Sequence, residues 1–349
     1  MGSHGGRELV LSRRPEGQVT DDCFEVRHTE VADPPPGEVV VRTLWLSFDP
    51  AQRGWLNDVA SYVPPVPLGA PMRAYGVGEV VATADERFAV GDLVHGMLGW
   101  REYAGGEPGP AGLGLEHLPA GLDDPKLALG AVGITGLTAY FGMYDVARVK
   151  PGDVVLVTAA AGATGSVAGQ LARLRGAAKV VGTAGSEEKR AWVVEEAGFD
   201  DCLDHYGDRL FRRVGAAAPA GYDVVFDNVG GELLDAALGN IAIGGRVALC
   251  GSISTGYRPE RPEVGLRNYP FLTTRRARME GFLVSDFAER FDAARADLLG
   301  WVNRGELRTT DDVVEGLENA PATLRRLFEG RNLGKQLLHV ADPGSAAGR

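Results

Sequence analysis

The stretch that most constrains this chain is residues 154–170, VVLVTAAAGATGSVAGQ. A β-branched apolar run (Val154, Val155, Val157, Thr158) stops at small residues, and a helical pattern begins behind them. The glycine spacing is Ala160-x-Gly162-x-x-Gly165, with alanine at the first position of the usual fingerprint. Glycine lets the backbone turn tightly, approach a pyrophosphate without a Cβ and pack helix against strand. The helix N-terminus then offers free N–H groups and the positive end of its dipole to the phosphates. Strand, turn and helix in this order predict a dinucleotide site; the bland reading is an ordinary small-residue helix start.

The tip of the next strand bears on which dinucleotide. Residues 179–184 (KVVGTA) read as that strand and lead into Gly185-Ser186-Glu187-Glu188-Lys189. An NAD-selective site usually has a carboxylate about 20 residues past the glycines, on the ribose 2′-OH. Here Gly185 takes that place, followed by the hydroxyl of Ser186 and the ammonium of Lys189. Both suit a 2′-phosphate, which a carboxylate would repel, so NADP(H) is expected over NAD(H). Otherwise Lys189 is a solvated first-turn residue, and Glu187 and Glu188 are ordinary dipole-favoured acids.

At 349 residues the chain predicts two domains. Its 44% hydrophobic and 24% charged content is globular. A formal charge of −11 argues against nucleic acid or an anionic membrane as partner. No apolar run approaches the roughly 20 residues of a membrane helix, and no signal-peptide pattern opens the chain. The first six residues read as an appended or native tail. Cys23, Cys202 and Cys250 are far apart and odd in number, which fits a reduced cytoplasm without a disulfide framework.

Up to about residue 125, short β segments alternate with Gly and Pro turns (residues 37–42, 76–81 and 91–94), predicting an antiparallel barrel-like domain. From about residue 127, strand and helix patterns alternate. A helix is read over 136–146, strands at 222–228, 245–250 and 279–284, and a helix from Glu232. That rhythm means βαβ units and a parallel sheet. A helix near 320–329 and a strand over 335–340 close the chain. The expected boundaries are a catalytic barrel-like domain over 7–127 completed by 306–341, a nucleotide domain over 128–305, and a mobile tail at 342–349.

No metal site is expected. Catalytic zinc needs three Cys, His or carboxylate ligands, and Cys202 and Cys250 both fall in the nucleotide half, so Cys23 is the one cysteine left to the barrel, where His95 lies alone in a Val-His-Gly context. Without a Lewis acid, chemistry needing only hydride and proton fits best, such as reduction of an activated C=C bond.

Eight motifs in one order carry a family resemblance over nearly the whole chain: Leu46-Ser47-Phe48-Asp49-Pro50, residues 132–140 (VGITGLTAY), residues 159–170, Gly185-Ser186-Glu187-Glu188-Lys189, Phe226-Asp227-Asn228-Val229-Gly230-Gly231, Cys250-Gly251-Ser252-Ile253-Ser254, Leu317-Glu318-Asn319-Ala320-Pro321 and Asn332-Leu333-Gly334-Lys335. They resemble the zinc-free medium-chain dehydrogenase/reductases, in the branch of prostaglandin reductase (leukotriene hydroxydehydrogenase), alkenal double-bond reductase and the curcumin-reductase-like proteins. The resemblance implies an α/β protein, a GroES-like antiparallel β-barrel domain plus a doubly wound parallel-sheet Rossmann domain, in a cytoplasmic homodimer. It implies cofactor contacts at Thr138, Gly162, Ala163, Thr164, Gly165, Ser166, Ser186 and Lys189. Asn228 and Cys250, Gly251, Ser252, Ile253 and Ser254 would lie along the adenosine and nicotinamide halves, and Asn332 would close over the cofactor. The family's aromatic near the adenine ribose falls on His205 or, with a one-residue shift, on Tyr206. Taken by itself, Cys250 reads as a small buried residue rather than a reactive thiol.

The implied activity is NADPH-dependent reduction of an α,β-unsaturated ketone or aldehyde, with hydride delivered to the β-carbon. Tyr62 and Tyr257, in matching loops, are the implied hydroxyl donors to the carbonyl oxygen; the alternative is that each merely lines an apolar cleft. Many relatives continue Asp-Pro with Tyr-Met-Arg, whereas this chain has Ala51-Gln52-Arg53, which would widen or wet the pocket. An NADPH quinone oxidoreductase and a non-catalytic NADPH-binding sensor are the other readings, and stoichiometric zinc would revive an alcohol dehydrogenase.

Overall fold

A computed structural model describes residues 2–59, 61–109, 111–258 and 265–344. The chain divides into two compact units, one chiefly from Met1–Leu129 and Asp311–Arg349, the other from Gly130–Tyr257 and Arg261–Thr310. Among the described residues no helix is long and apolar enough to cross a membrane.

The first unit opens with β1 (Ser3–Leu11) and β2 (Phe24–Ala32), paired antiparallel from Ser3↔Ala32 to Leu11↔Phe24. Within the segment read as an appended or native tail, Ser3, His4, Gly5 and Gly6 are ladder residues. Their sequence lacks apolar alternation because the pairing rests on backbone hydrogen bonds, and only Leu9, Val10 and Leu11 are buried. Next come β3 (Val39–Ser47), the short helix α1 (Ala51–Trp55), β4 (Gly76–Thr83), β5 (Leu93–Gly96), β6 (Tyr103–Gly106) and β7 (Glu116–His117). The strand expected at 91–94 is displaced because Gly91 and Asp92 form the turn, where the Asp92 carboxylate accepts from the Ala89 N–H (2.7 Å).

In the second unit, β8 (Val154–Val157), β9 (Lys179–Ala184), β10 (Asp201–Asp204), β11 (Tyr222–Asp227), β12 (Ile241–Leu249) and β13 (Arg278–Gly281) form, among the described residues, a parallel sheet in the order β10-β9-β8-β11-β12-β13. Counted within the unit this is 3-2-1-4-5-6, the doubly wound order. The central strand β8 is an unbroken apolar run, VVLV, because helices cover both faces of the sheet. Those helices are α2 (Ile134–Phe141), α3 (Ala163–Leu174), α4 (Glu187–Glu195), α5 (Leu210–Ala217), α6 (Gly231–Gly239), α7 (Pro270–Thr274) and α8 (Phe291–Asn303). The helix expected over 136–146 starts at Ile134 and rewinds into a π turn at Gly142–Val146, where the Phe226 and Phe282 rings press on Gly142. The strand expected over 279–284 ends at Gly281, because its partner β12 ends at Leu249, the residue opposite.

The chain then returns to the first unit as β14 (Asp311–Glu315), α9 (Ala320–Phe328) and β15 (Lys335–His339). Strands β14 and β15 are parallel, and β15 pairs antiparallel with β3, completing the order β14-β15-β3-β4-β5-β7 with β6 also on β3. The core of this unit includes Leu46, Leu56, Met72 and Leu98 around Phe48 stacked on Trp100 (ring centroids 5.4 Å). Of the expected tail at 342–349, residues 345–349 lie outside the described residues, and the Gly344 N–H donates to Glu79 (2.9 Å).

Candidate functional site

Order 3-2-1-4-5-6 puts a switch point between β8 and β11, where helices leave for opposite faces and a crevice opens at the strand carboxyl ends. The turn after β8 stands there. Ala159 is in the left-handed region (φ 50°), and the Ala160 N–H donates to Thr183 O of the neighbouring strand (2.9 Å). Gly162 caps α3 in extended conformation, and Ala163, Thr164, Gly165 and Ser166 form its first turn. A Cβ on Gly165 would lie 2.3 Å from Ala159 O, so the helix sits on its own turn only because Gly165 has none. Thr138 lies in α2, which packs on α3, with its hydroxyl donating to Ile134 O (2.7 Å).

Across the switch point, Asp227 is fully buried and accepts from Thr158 Oγ1 (2.9 Å) and from the N–H groups of Val229 (3.3 Å) and Gly230 (2.9 Å). Burial pushes its carboxyl up to about 6 against the pull of those donors. The Thr158 hydroxyl in turn accepts from the Asn228 N–H (2.8 Å), and Asn228 Nδ2 donates to Thr158 O (2.7 Å). Thr158 and Asp227 thus lock the two strand ends together. Sequence reasoning gave neither a role. The signal was a hydroxyl and a carboxylate in the last positions of two adjacent apolar strands.

The end of β12 hangs on the same corner. The N–H groups of Cys250 and Gly251 donate to Asp227 O, that of Ile253 to Asn228 O, and that of Ser254 to Val229 O. Burial pushes the Cys250 thiol up to about 12, which suits a small enclosed residue rather than a nucleophile. Tyr257, itself left-handed (φ 49°), folds back so that its hydroxyl accepts the Ser252 N–H (3.1 Å).

At the tip of β9, Ser186 caps α4 by accepting the Lys189 N–H (3.3 Å), so its hydroxyl serves the helix whatever else it binds. Parallel pairing of Ala184 with Asp204 delivers Gly185 and His205 side by side. A Cβ on Gly185 would meet the Tyr206 ring at 2.6 Å and the His205 ring at 3.1 Å. Both aromatic candidates therefore stand against Gly185, where a side chain would clash with them. The two rings are 4.2 Å apart, and Arg190 of α4 reaches Asp204 (3.5 Å).

A dinucleotide fits this edge: a small-residue turn with Gly162 and Gly165 at a helix N-terminus, and a strand tip followed by Lys189 with no carboxylate at position 185. Residues 7–111 match the family model described as the N-terminal domain of oxidoreductase, and residues 163–299 the one described as zinc-binding dehydrogenase. Prostaglandin reductase 1 of Rattus norvegicus is 40% identical over 338 residues, 94% of this chain and 97% of its own length. The chain belongs to the medium-chain dehydrogenase/reductase family. Within it, an NADP-dependent 2-alkenal reductase of Nicotiana tabacum is 36% identical over 340 residues, covering 96% of this chain and 97% of its own. The solved structure of CurA in complex with NADPH from Vibrio vulnificus superposes with a TM-score of 0.90 at 34% identity, over 97% of this chain and 100% of that one.

In this medium-chain dehydrogenase/reductase the first unit carries two of the expected site residues. Tyr62 is 55% exposed, and its hydroxyl accepts from Trp55 Nε1 (3.0 Å); atoms packed around that hydroxyl nevertheless hold it above the usual tyrosine range. Asn332, in the loop before β15, donates to Gly334 O (3.0 Å). Gln52 and Arg53 are buried, with Gln52 Nε2 donating to Ser47 O and Arg53 donating to Gly17 O and to Asn57 Oδ1. Although one family model's description names zinc, among the described residues no three His, Cys, Asp or Glu side chains gather as a metal site. His95 is buried and lies 3.4 Å from Glu116.

Proposed function

We propose that the protein reduces the C=C bond of α,β-unsaturated ketones and aldehydes with NADPH and without a metal. The observation that carries the cofactor assignment is the tip of β9, where Gly185, Ser186 and Lys189 replace the carboxylate of an NAD site. Relatives matched along their whole length, one an NADP-dependent 2-alkenal reductase, support the reaction class. When bound, NADPH supplies the hydride for the β-carbon.

The chain has to hold the cofactor and stabilise charge on the carbonyl oxygen as that carbon is reduced. The turn at residues 159–165 and the N–H groups opening α3 hold the pyrophosphate. Asp227, through Thr158 and the backbone of Val229 and Gly230, keeps the three strand-end loops in one arrangement. Tyr257 and Tyr62 are the proposed donors to the developing enolate oxygen, because a neutral phenol can donate at pH 7 while accepting an N–H. No metal step is invoked, since the described donors do not form a zinc ligand set. On the same reading the protein is a cytoplasmic homodimer paired through edge strands of the parallel sheet.

The test is loss of NADPH absorbance with EDTA-treated protein against enones, enals, quinones and simple ketones, with NADH in parallel. Turnover of enones and enals to saturated products, with NADPH preferred, is expected. Tyr257→Phe and Tyr62→Phe are then compared, and loss of a donor to the oxygen should lower kcat about 10- to 100-fold with little change in NADPH affinity. Quinone-only turnover would make the protein a quinone oxidoreductase, and NADPH binding with no acceptor reduced would make it a sensor.

A further inference from the structure

Four observations converge at the tips of β9 and β10. Parallel register sets His205 beside Gly185, and the imidazole rests where a side chain at 185 would stand (3.1 Å from the position of its Cβ). His205 Nδ1 is buried and, among the described residues, has no hydrogen-bond partner. Tyr206 covers the ring from the side at 4.2 Å. The charged groups acting on the imidazole are Lys189 and Arg190 of α4 and Asp204 at the end of β10, its immediate neighbour. An unpartnered ring nitrogen beside two cations is a poor arrangement for the protein alone, since burial and both cations disfavour imidazolium and only Asp204 favours it. It becomes a good arrangement when a dianion arrives.

We propose that binding of a ribose 2′-phosphate at this tip is coupled to protonation of His205, whose imidazolium then serves as a third cation of the pocket with Lys189 and Arg190. This rests on the NADPH reading above and adds what that reading lacks, a proton-dependent preference for the phosphorylated dinucleotide. In the free protein burial holds the imidazole below the usual histidine range, so it is neutral at pH 7. The phosphate dianion raises its affinity for a proton. Binding therefore takes up a proton between the free and bound values, and the preference is strongest at low pH and is lost as pH rises through the bound value.

The experiment is calorimetric titration of the full chain with NADP+, and separately NAD+, in buffer pairs of different ionisation enthalpy between pH 6.5 and 8.5. The ligand's own phosphate, titrating near pH 6, releases protons on binding, which is the opposite sign. Wild-type protein is expected to take up more protons per NADP+ than His205→Phe and His205→Gln. Its affinity ratio for NADP+ over NAD+ should rise about 10-fold from pH 8.5 to 6.5, the worth of one charge-assisted hydrogen bond, and show no rise in either variant. NAD+ should bind without proton uptake. Equal proton counts in wild type and both variants, with NADP+ still preferred, would overturn the role of His205 and leave the cofactor reading intact. Equal binding of NAD+ and NADP+ by wild type at every pH, unmoved by Lys189→Ala, would overturn both.

Discussion

Asp49→Ala is expected to cost the first unit about 3 kcal/mol, seen as a fall in Tm of roughly 6–10 °C. Lys335, at the start of β15, has a side chain only 3% exposed, and its Nζ donates to Asp49 Oδ1 (2.6 Å) and Phe48 O (3.3 Å). Removing the carboxylate leaves a buried ammonium with one carbonyl, and an uncompensated buried charge costs more than its pair contributed. The Asp49 side chain is 30% exposed, which places the effect at the lower end of the usual range. The loss also frees Ser47 Oγ, which donates to Asp49 Oδ2 (2.6 Å). Lys335→Met should cost less, because Asp49 keeps water and Ser47, and the double substitution should recover part of the loss. Thermal unfolding of the three variants checks this. A Tm for Asp49→Ala within about 2 °C of wild type would mean the ammonium is solvated in the folded protein.

Gly165→Ala is expected to weaken NADPH binding about 100-fold and to lower stability by roughly 1–3 kcal/mol. The added Cβ would meet Ala159 O at 2.3 Å, Ala159 C at 3.0 Å and Ala160 Cα at 3.1 Å. All three are backbone atoms of the turn, so no side chain can swing away, and α3 must lift from the turn. Ala159 already holds a left-handed conformation, which leaves little room for further distortion. Lifting α3 moves the N–H groups that would meet the pyrophosphate. Titration of NADPH fluorescence, read beside thermal unfolding, separates the two effects. Binding within about threefold of wild type would show that this turn does not hold the phosphates.

The parts of the fold that were legible in the sequence are those whose cause is local. An apolar run such as VVLV must be buried on both faces, and a small-residue turn followed by a helical pattern has few alternatives, so β8 and α3 could be placed to within a residue or two. The helix end at Phe141 was missed because the Phe226 and Phe282 rings that press on Gly142 arrive from distant segments. The hairpin of β1 and β2 was missed because its outer half is held by backbone bonds, and Ser3, His4, Gly5 and Gly6 carry no apolar signal.

The candidate site divides the same way. By itself the sequence determined that a nucleotide turn opens at residues 159–165, that the next strand ends without a carboxylate, and that a barrel-like half precedes an alternating one. Propensity, spacing and charge act over a few residues, and one strand is enough to display them. Only the tertiary structure decided which distant residues meet. It locked Thr158 to Asp227, put His205 and Tyr206 on Gly185 through the register of two parallel strands, and joined Asp49 to Lys335 across 286 positions. Each of those contacts depends on strand order and register, which are set by packing the whole sheet against its helices and are not written in any one segment.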